Sequence, residues 1–198
     1  VYTGVGVRYR GNTSFRTVRG KKKSLNLSFD FTKDGQRLGG YKTINLLNAH
    51  TDPSFLRELT YDMIGGQYMP SLKANLVRVV IGGESHGIYV NTQQYNKDFL
   101  AEWFGTKKGV RWKAPANLGG DAGLRYFGDD IAEYASLYSL KTKLKKPQEK
   151  AAWERLVALC RLLEKADTET LERELPKIMN VDEAIWFLAL DNIFADDD

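Results

Sequence analysis

The 198-residue sequence is poor in the side chains that form disulfides and bind soft metals, since it has one cysteine, Cys160, and two histidines. A single cysteine excludes an internal disulfide framework and any zinc site built from several cysteines. Two histidines argue against a histidine-based metal cage. Leucines surround Cys160 in the sequence, so a buried thiol is expected there rather than a reactive one.

The sequence also lacks a long apolar run and a strong charge of one sign. No stretch approaches the roughly 18 apolar residues of a membrane-spanning helix. The formal net charge is only +4, which is too small to argue for a nucleic-acid partner. Positive charge is concentrated at 8–23 and at 141–150, and the second run is interpreted as a solvated helix end. With 42% hydrophobic and 27% charged residues, the chain can bury a globular core.

Residues 5–31 have the pattern of a β-hairpin with a long polar tip. Apolar residues alternate with polar or small ones on both sides of the tip, as in half-buried strands: Val5, Val7 and Tyr9, then Leu25, Leu27 and Phe29. The tip combines small polar residues with a basic cluster: Gly11, Asn12, Thr13 and Ser14, then Arg16, Arg19, Lys21, Lys22 and Lys23. Such a loop suits a polyanion, but it is neither a Walker motif nor GxGxxG and is also compatible with a solvated hairpin tip.

The rest of the first half predicts more strands and two helices. Strands are expected at 43–47 and 74–81, and the second returns as a hairpin over 85–92. An amphipathic helix is predicted over 53–64, with Asp52 as its N-cap and Pro53 at its first position. A turn and a short helix are expected within 93–104.

The second half is predicted to be helical after an irregular connection. Within that connection, Arg111, Trp112 and Lys113 either form a strand at the junction of two lobes or line a nucleotide cleft. Helices are expected over 130–143, 147–165 and 168–179, and a fourth begins at Asp182, with residues 184–190 deeply buried. The fold class is therefore α+β, an antiparallel sheet lobe with a packed helix (1–105), a connection (106–128) and a helical lobe (129–198).

Five stretches carry a resemblance to the spore-coat protein H (CotH) kinase family. RGNTS at 10–14, followed by KKKS at 21–24, resembles that family's phosphate-loop element. Four more stretches match in order: INLLNAHTDPSFLRE, HGIYVNTQQYNKDFL, GVRWKAP and WFLALDNIFADDD. The resemblance spans nearly the whole chain and implies an atypical protein kinase with an ATP cleft between its lobes.

The resemblance implies roles for individual residues. ATP phosphates would be held by the loop and its lysines, with further nucleotide contacts from the connection: Arg10, Gly11, Asn12, Thr13, Ser14, Lys22, Lys23, Gln93 and Lys113. Lys23 is preferred over Lys22, although alternation alone does not separate them, and Arg57 is a candidate support. Asp198 falls at the catalytic-loop aspartate and Asp196 where the family usually has Asn. Both are candidate Mg²⁺ ligands, since oxygen-rich clusters favour hard cations, although an acidic tip can also be merely solvated.

Two departures limit the match. Gln93 stands where many members have a Glu that would pair with the lysine, so the charge of that pair is lost. The chain stops at Asp198, before the family's Trp-Asp-x-Asp segment, and it begins within a strand pattern. It is therefore interpreted as a fragment that lacks one Mg²⁺ ligand, any targeting segment and, on its own, activity.

Three functions stay open for the parent protein: transfer of the ATP γ-phosphoryl to Ser or Thr hydroxyls, transfer of AMP, or a non-catalytic coat or adhesion role. The expected partner is a protein substrate. We expect no nucleic-acid partner, no transmembrane segment in this chain, a monomer, and a secreted, surface or spore-associated location.

Overall fold

The computed structural model describes residues 1–115 and 122–194. The α+β prediction is confirmed, because an antiparallel sheet is combined with helices. The chain forms two compact units, one of Val1–Lys107 with Ile185–Asp198 and the other of Lys108–Ala184. No helix among the described residues is both long and apolar enough to cross a membrane.

The first unit is built on a five-stranded antiparallel sheet with the order β1-β2-β3-β5-β4. Its strands are β1 (Gly6–Tyr9), β2 (Leu25–Ser28), β3 (Thr43–Leu47), β4 (Ala74–Ile81) and β5 (Glu84–Thr92). Three helices accompany them: α1 (Thr13–Thr17), α2 (Arg57–Gly65) and α3 (Lys97–Phe104). The predicted hairpin of β1 and β2 is confirmed, and its tip contains α1, which the sequence pattern did not indicate.

One face of the sheet is apolar and the other carries a polar ladder. Leu25, Leu46 and Tyr89 are buried together on the apolar face. On the opposite face Arg8 Nε donates to Asn26 Oδ1 (3.0 Å), and Asn26 Nδ2 donates to Asn45 Oδ1 (2.9 Å). This ladder satisfies two buried amides and holds three strands in register.

The edge strand β1 is more exposed than its alternation predicts. Val7 and Tyr9 are 62% and 61% exposed, whereas Leu25 on the neighbouring strand is only 7% exposed. An edge strand has a neighbour on one side only, so its outward-facing side chains gain less cover.

The second unit packs helices around a small core. It contains β6 (Trp112–Lys113), α4 (Ile131–Leu137), β7 (Ser139–Leu140), α5 (Lys146–Lys165), α6 (Thr168–Glu174) and a 3₁₀ turn (Leu175–Lys177). The buried core residues are Tyr134, Tyr138, Trp153, Leu156, Val157 and Cys160. Trp112 packs on Trp153 with 4.3 Å between ring centroids, and the buried thiol expected at Cys160 is confirmed.

The last helix, α7 (Val181–Phe194), begins in the second unit and ends in the first. The predicted deep burial of residues 184–190 is wrong, because Ile185, Phe187 and Leu188 are 59%, 48% and 58% exposed and only Leu190 is buried. An uninterrupted apolar run does not say which side of the helix is covered. Here Leu190 approaches Gly65, at the end of α2, and Trp186 stacks on Tyr68 with 3.7 Å between ring centroids.

Three other helix boundaries differ from prediction, and one belongs to the helix predicted over 168–179, which ends at Glu174 and is followed by the 3₁₀ turn. The first predicted helix begins at Arg57 rather than Pro53, because Asp52 accepts bonds from Ser54 N (3.0 Å) and Arg57 N (2.9 Å) in a local turn. Phe55 within that turn has φ +61°, which is incompatible with an α-helix. The helix predicted over 130–143 ends at Leu137, since the chain becomes extended at Tyr138 and pairs with β6.

Candidate functional site

The candidate site lies where the sheet opens beyond the end of β3. Leu46 of β3 pairs with Leu25 of β2, and Leu47 pairs with Val90 of β5. Because β3 ends at Leu47, residues before Leu25 on one side and residues 84–89 of β5 on the other have no strand between them. A pocket of about 650 Å³ is lined by residues from both sides of this opening.

The pocket has a basic and an aromatic lining. Lys21 and Lys23 come from the hairpin tip, and Tyr9, Phe15 and Tyr89 supply aromatic surface. Arg8 also lines the pocket, although its guanidinium is bonded to Asn26. A concave site with apolar walls and a few converging polar groups has the usual character of a small-molecule pocket.

Two of the three consecutive lysines are already paired. Lys21 Nζ lies 3.1 Å from Glu84 Oε2, and both side chains are mostly exposed, so this ion pair contributes little stability. Lys23 Nζ donates to the carbonyl oxygens of Phe15 (2.7 Å) and Val18 at the end of α1. Lys23 therefore caps the short helix, and its ammonium has one donor left.

The third lysine, Lys22, is held by aromatic rings. Its Nζ lies 4.4 Å from the ring centroid of Phe55 and 5.3 Å from that of Tyr89. Partial burial lowers the pKa of Lys22, since desolvation disfavours the charged form. Within residues 1–115 and 122–194 no carboxylate or carbonyl bonds this ammonium. Among the described residues, Lys22 is thus a partly desolvated cation without an anionic partner, beside a ring that lines the pocket.

The RGNTS segment lies at the same end of the hairpin. Arg10 N donates to Ser24 O over 2.9 Å, which brings the segment beside the lysines. Gly11 has φ +92°, and a Cβ there would come within 2.4 Å of Ser14 Oγ. This tight turn therefore requires glycine. Asn12 precedes α1, and its side chain makes no capping bond to the helix.

Asn48, which sequence reasoning missed, holds the basic segment in place through side-chain hydrogen bonds. Ser24 Oγ donates to Asn48 Oδ1 (2.9 Å), and Asn48 Nδ2 donates to Lys22 O (3.0 Å). Two residues later, His50 Nε2 lies 2.8 Å from Thr17 Oγ1 in α1. Asn48 follows β3 directly, and an Asn at a strand end carries no sequence signal for this contact.

Gln93 lies in a different network. Its Nε2 donates to Glu102 Oε2 (3.0 Å), and its Oε1 accepts from Lys73 N (3.2 Å). Glu102 also forms an ion pair with Lys73 Nζ. Burial alone would raise the pKa of Glu102, but the bonds from Lys73 and Gln93 outweigh it and the pKa is lowered. The structure thus bonds Gln93 to a carboxylate and not to Lys22 or Lys23.

The remaining predicted residues are spread over the chain. Lys113 is exposed on β6 of the second unit, and Arg57 Nη2 donates to Thr51 Oγ1 (3.0 Å). Asp196 and Asp198 lie outside the described residues. Within the described part, no group of three or more His, Cys, Asp or Glu could hold a metal ion.

A family model described as CotH kinase protein matches residues 7–198. The chain belongs to the CotH kinase family. No curated protein matches the chain. The region matched by the CotH family contains the RGNTS loop, the three lysines and every residue that lines the pocket.

Proposed function

We propose that this CotH-family domain transfers the γ-phosphoryl group of ATP to a Ser or Thr hydroxyl of a protein. The observation that carries the proposal is a pocket of about 650 Å³ that Lys21 and Lys23 line, with the Lys22 ammonium beside Tyr89 of its wall. That volume lies within the range of pockets that hold small organic ligands, about 300–1,000 Å³. A pocket with cations at one end and aromatic walls suits a nucleoside triphosphate.

In this proposal the hairpin tip holds the phosphates. Gly11 lets the backbone approach them, and the polar groups of Asn12, Thr13 and Ser14 donate hydrogen bonds. Lys22 becomes the stronger candidate for the main phosphate contact, because Lys23 already bonds two carbonyls. A phosphate would provide the anionic partner that Lys22 lacks among the described residues.

The acidic end of the chain has the catalytic role in this proposal. By the family resemblance, Asp198 would accept the proton of the attacking hydroxyl, and Asp196 with Asp198 would hold Mg²⁺. Bound Mg²⁺ supplies neutralisation of the phosphate charge. The hydroxyl comes from a protein substrate, and we propose a secreted, surface or spore-associated location.

A second candidate is a non-catalytic CotH-family protein with a coat or adhesion role. The neutral Gln93 favours it, since the family's glutamate is replaced and the amide is bonded to Glu102. Nucleotide binding separates the two candidates, because an adhesion role does not need it.

The test is binding followed by transfer. Calorimetry of the chain with ATP and Mg²⁺ should detect binding, and Lys22→Ala should weaken it. Incubation of the full-length protein with a Ser-rich protein and either γ- or α-labelled ATP should transfer label from the γ position only. Label from the α position would show AMP transfer, and the absence of nucleotide binding would overturn the kinase proposal. Asp198→Asn should abolish transfer while leaving the protein folded.

A further inference from the structure

Two basic segments that are distant in sequence lie side by side in the second unit. Segment 108–113 carries three cations and segment 141–146 carries four, and neither contains an acidic residue. The paired strands β6 and β7 join the segments, and Lys141 N donates to Arg111 O over 2.8 Å. Most of the second segment precedes α5, which begins at Lys146. The fold therefore brings both groups of positive charge to one place.

Thr142 holds the two segments together through its hydroxyl. Its Oγ1 accepts a hydrogen bond from Arg111 N (3.0 Å) and donates one to Gly109 O (2.8 Å). Trp112 of the first segment packs on the buried Trp153 of α5, which attaches the paired segments to the core of the unit. The cations are thus displayed on a backbone with a defined arrangement and not on two independent loops.

The side chains of the two segments divide between the core and the solvent. Trp112 and Leu140 lie opposite each other and pack against the core, and the residues before and after them in a strand face the other way. The alternation continues after β7, where Thr142 and Leu144 are half-buried and the lysines between and beside them are exposed. Four exposed lysines form what we call the basic surface: Lys113, Lys141, Lys143 and Lys145.

The basic surface has no anionic partner among the described residues. None of its four lysines forms an ion pair with a described carboxylate, whereas Lys150, Lys165 and Lys177 of the same unit each pair with a glutamate. Like charges that adjoin on neighbouring strands repel each other and reduce stability. An anionic partner would offset this repulsion, so the uncompensated charge indicates a binding surface.

The chemistry of the two segments favours an acidic polypeptide over other polyanions. Val110 is their one exposed large apolar side chain, which leaves little to insert into a lipid bilayer. Trp112, their one aromatic residue, packs on Trp153 and does not offer the open ring on which a nucleobase stacks. Lysines at alternate positions of one segment suit carboxylates spaced along an extended peptide.

We propose that the basic surface docks an acidic segment of a partner protein. The inference does not depend on the proposed function, because none of the four lysines is assigned to ATP binding or to transfer there. It gives Lys113 a role other than the nucleotide contact that the family resemblance implies.

Fluorescence anisotropy with a labelled decaglutamate peptide measures the docking. The full chain should bind the peptide at low salt, and the affinity should fall as salt is added, because salt screens exposed charges. A triple variant with Lys141→Gln, Lys143→Gln and Lys145→Gln should bind about tenfold more weakly, as expected for the loss of three exposed ion pairs.

A second triple variant is the matched control. Lys150→Gln, Lys165→Gln and Lys177→Gln together remove the same charge from exposed positions of the same unit, and this variant should retain the affinity for decaglutamate. An equal loss of affinity in both triple variants would mean that only the net charge matters, and the inference would be wrong. Absence of peptide binding to the unmodified chain at low salt would also overturn it.

Thr142→Val tests whether the arrangement of the two segments matters. The change leaves the charge unaltered and removes both hydrogen bonds of the hydroxyl. Peptide affinity should therefore fall in protein that circular dichroism shows to be folded, whereas Thr142→Ser should keep the affinity. Full affinity in folded Thr142→Val would show that the lysines act without the paired segments, and the proposed surface would be wrong.

Two further probes separate an acidic protein from other partners. The same measurements are made with vesicles that contain phosphatidylserine and with a single-stranded oligonucleotide. Both should bind more weakly than decaglutamate. If either binds more tightly, and that binding is lost in the triple variant of Lys141, Lys143 and Lys145, the surface serves a membrane or a nucleic acid and the inference is wrong.

Discussion

The side-chain amide of Gln93 donates to the carboxylate of Glu102 over 3.0 Å, and Glu102 also pairs with Lys73. This arrangement changes what is expected of a glutamate at position 93. It would place a second carboxylate, on the buried residue 93, against the carboxylate of the more exposed Glu102, and like charges raise one another's pKa.

We therefore predict that Gln93→Glu destabilises the protein by about 1–3 kcal/mol at pH 7, the cost of losing a part-buried hydrogen bond and adding a like charge. The loss should shrink towards pH 5, as one of the two carboxylates takes up a proton. Urea unfolding at pH 7 and pH 5 measures this loss of stability. Gln94→Glu, the same change at the next and less buried residue, is the control. Equal stability of Gln93→Glu and the wild type at pH 7 would contradict the prediction.

Alanine substitutions of Lys21, Lys22 and Lys23 should have different effects on ATP affinity. Lys22→Ala should weaken ATP binding by about 10- to 100-fold, as expected for one charge-assisted phosphate contact of roughly 1.5–3 kcal/mol. Lys23→Ala should mainly lower the melting temperature, because its ammonium bonds the carbonyls of Phe15 and Val18. Lys21→Ala is the matched control and should have the smallest effect on both ATP affinity and melting temperature. A loss of affinity in Lys23→Ala that exceeds that in Lys22→Ala would return the phosphate role to Lys23.

Strands were predictable from sequence where apolar and β-branched residues are concentrated, as in β4 over Ala74–Ile81. Helix α2 was misplaced because the pattern does not show that Asp52 closes a local turn and holds Phe55 at φ +61°. The pocket was not predictable at all. It depends on β3 ending at Leu47 while β5 continues beyond it, and strand length relative to a neighbour is a tertiary property. For the same reason, RGNTS and the lysines could be singled out from sequence, whereas Asn48 could not.

The turn at Asp52 predicts a dependence of stability on pH. Burial alone would raise the pKa of Asp52, but bonds from Ser54 and from the Arg57 amide outweigh it and the pKa is lowered. A depressed folded pKa contributes stability that is present above the unfolded value of about 3.9 and is lost as the pH falls through the folded value. Asp52→Asn should therefore be less stable than the wild type at pH 7, by about 0.5–1.5 kcal/mol, because the amide nitrogen of Asn cannot accept one of the two backbone bonds.

Guanidinium unfolding at pH 7 and pH 3 checks this prediction. The difference between Asp52→Asn and the wild type should narrow at pH 3. Asp34→Asn, in an exposed turn, should show no comparable trend. A difference that stays constant between the two pH values would mean that the charge of Asp52 is not what closes the turn.

The bonds between Asn48 and the basic segment lead to the last prediction. Asn48→Ala removes the acceptor of the Ser24 hydroxyl and the donor to the Lys22 carbonyl, while the bond from the Asn48 backbone amide to Ser24 Oγ remains, and both Asn48 and Ser24 are buried. Leaving buried polar groups unpaired costs about 1–3 kcal/mol, so thermal unfolding should shift downwards. Since Lys22 is attached to the released carbonyl, ATP affinity should also fall in protein that is still folded. Ser24→Ala removes both bonds between Ser24 Oγ and Asn48 and leaves the bond from Asn48 Nδ2 to Lys22 O, so it should reduce stability with a smaller effect on affinity. If Asn48→Ala lowers stability and leaves ATP affinity unchanged, Asn48 supports the fold alone and does not position Lys22.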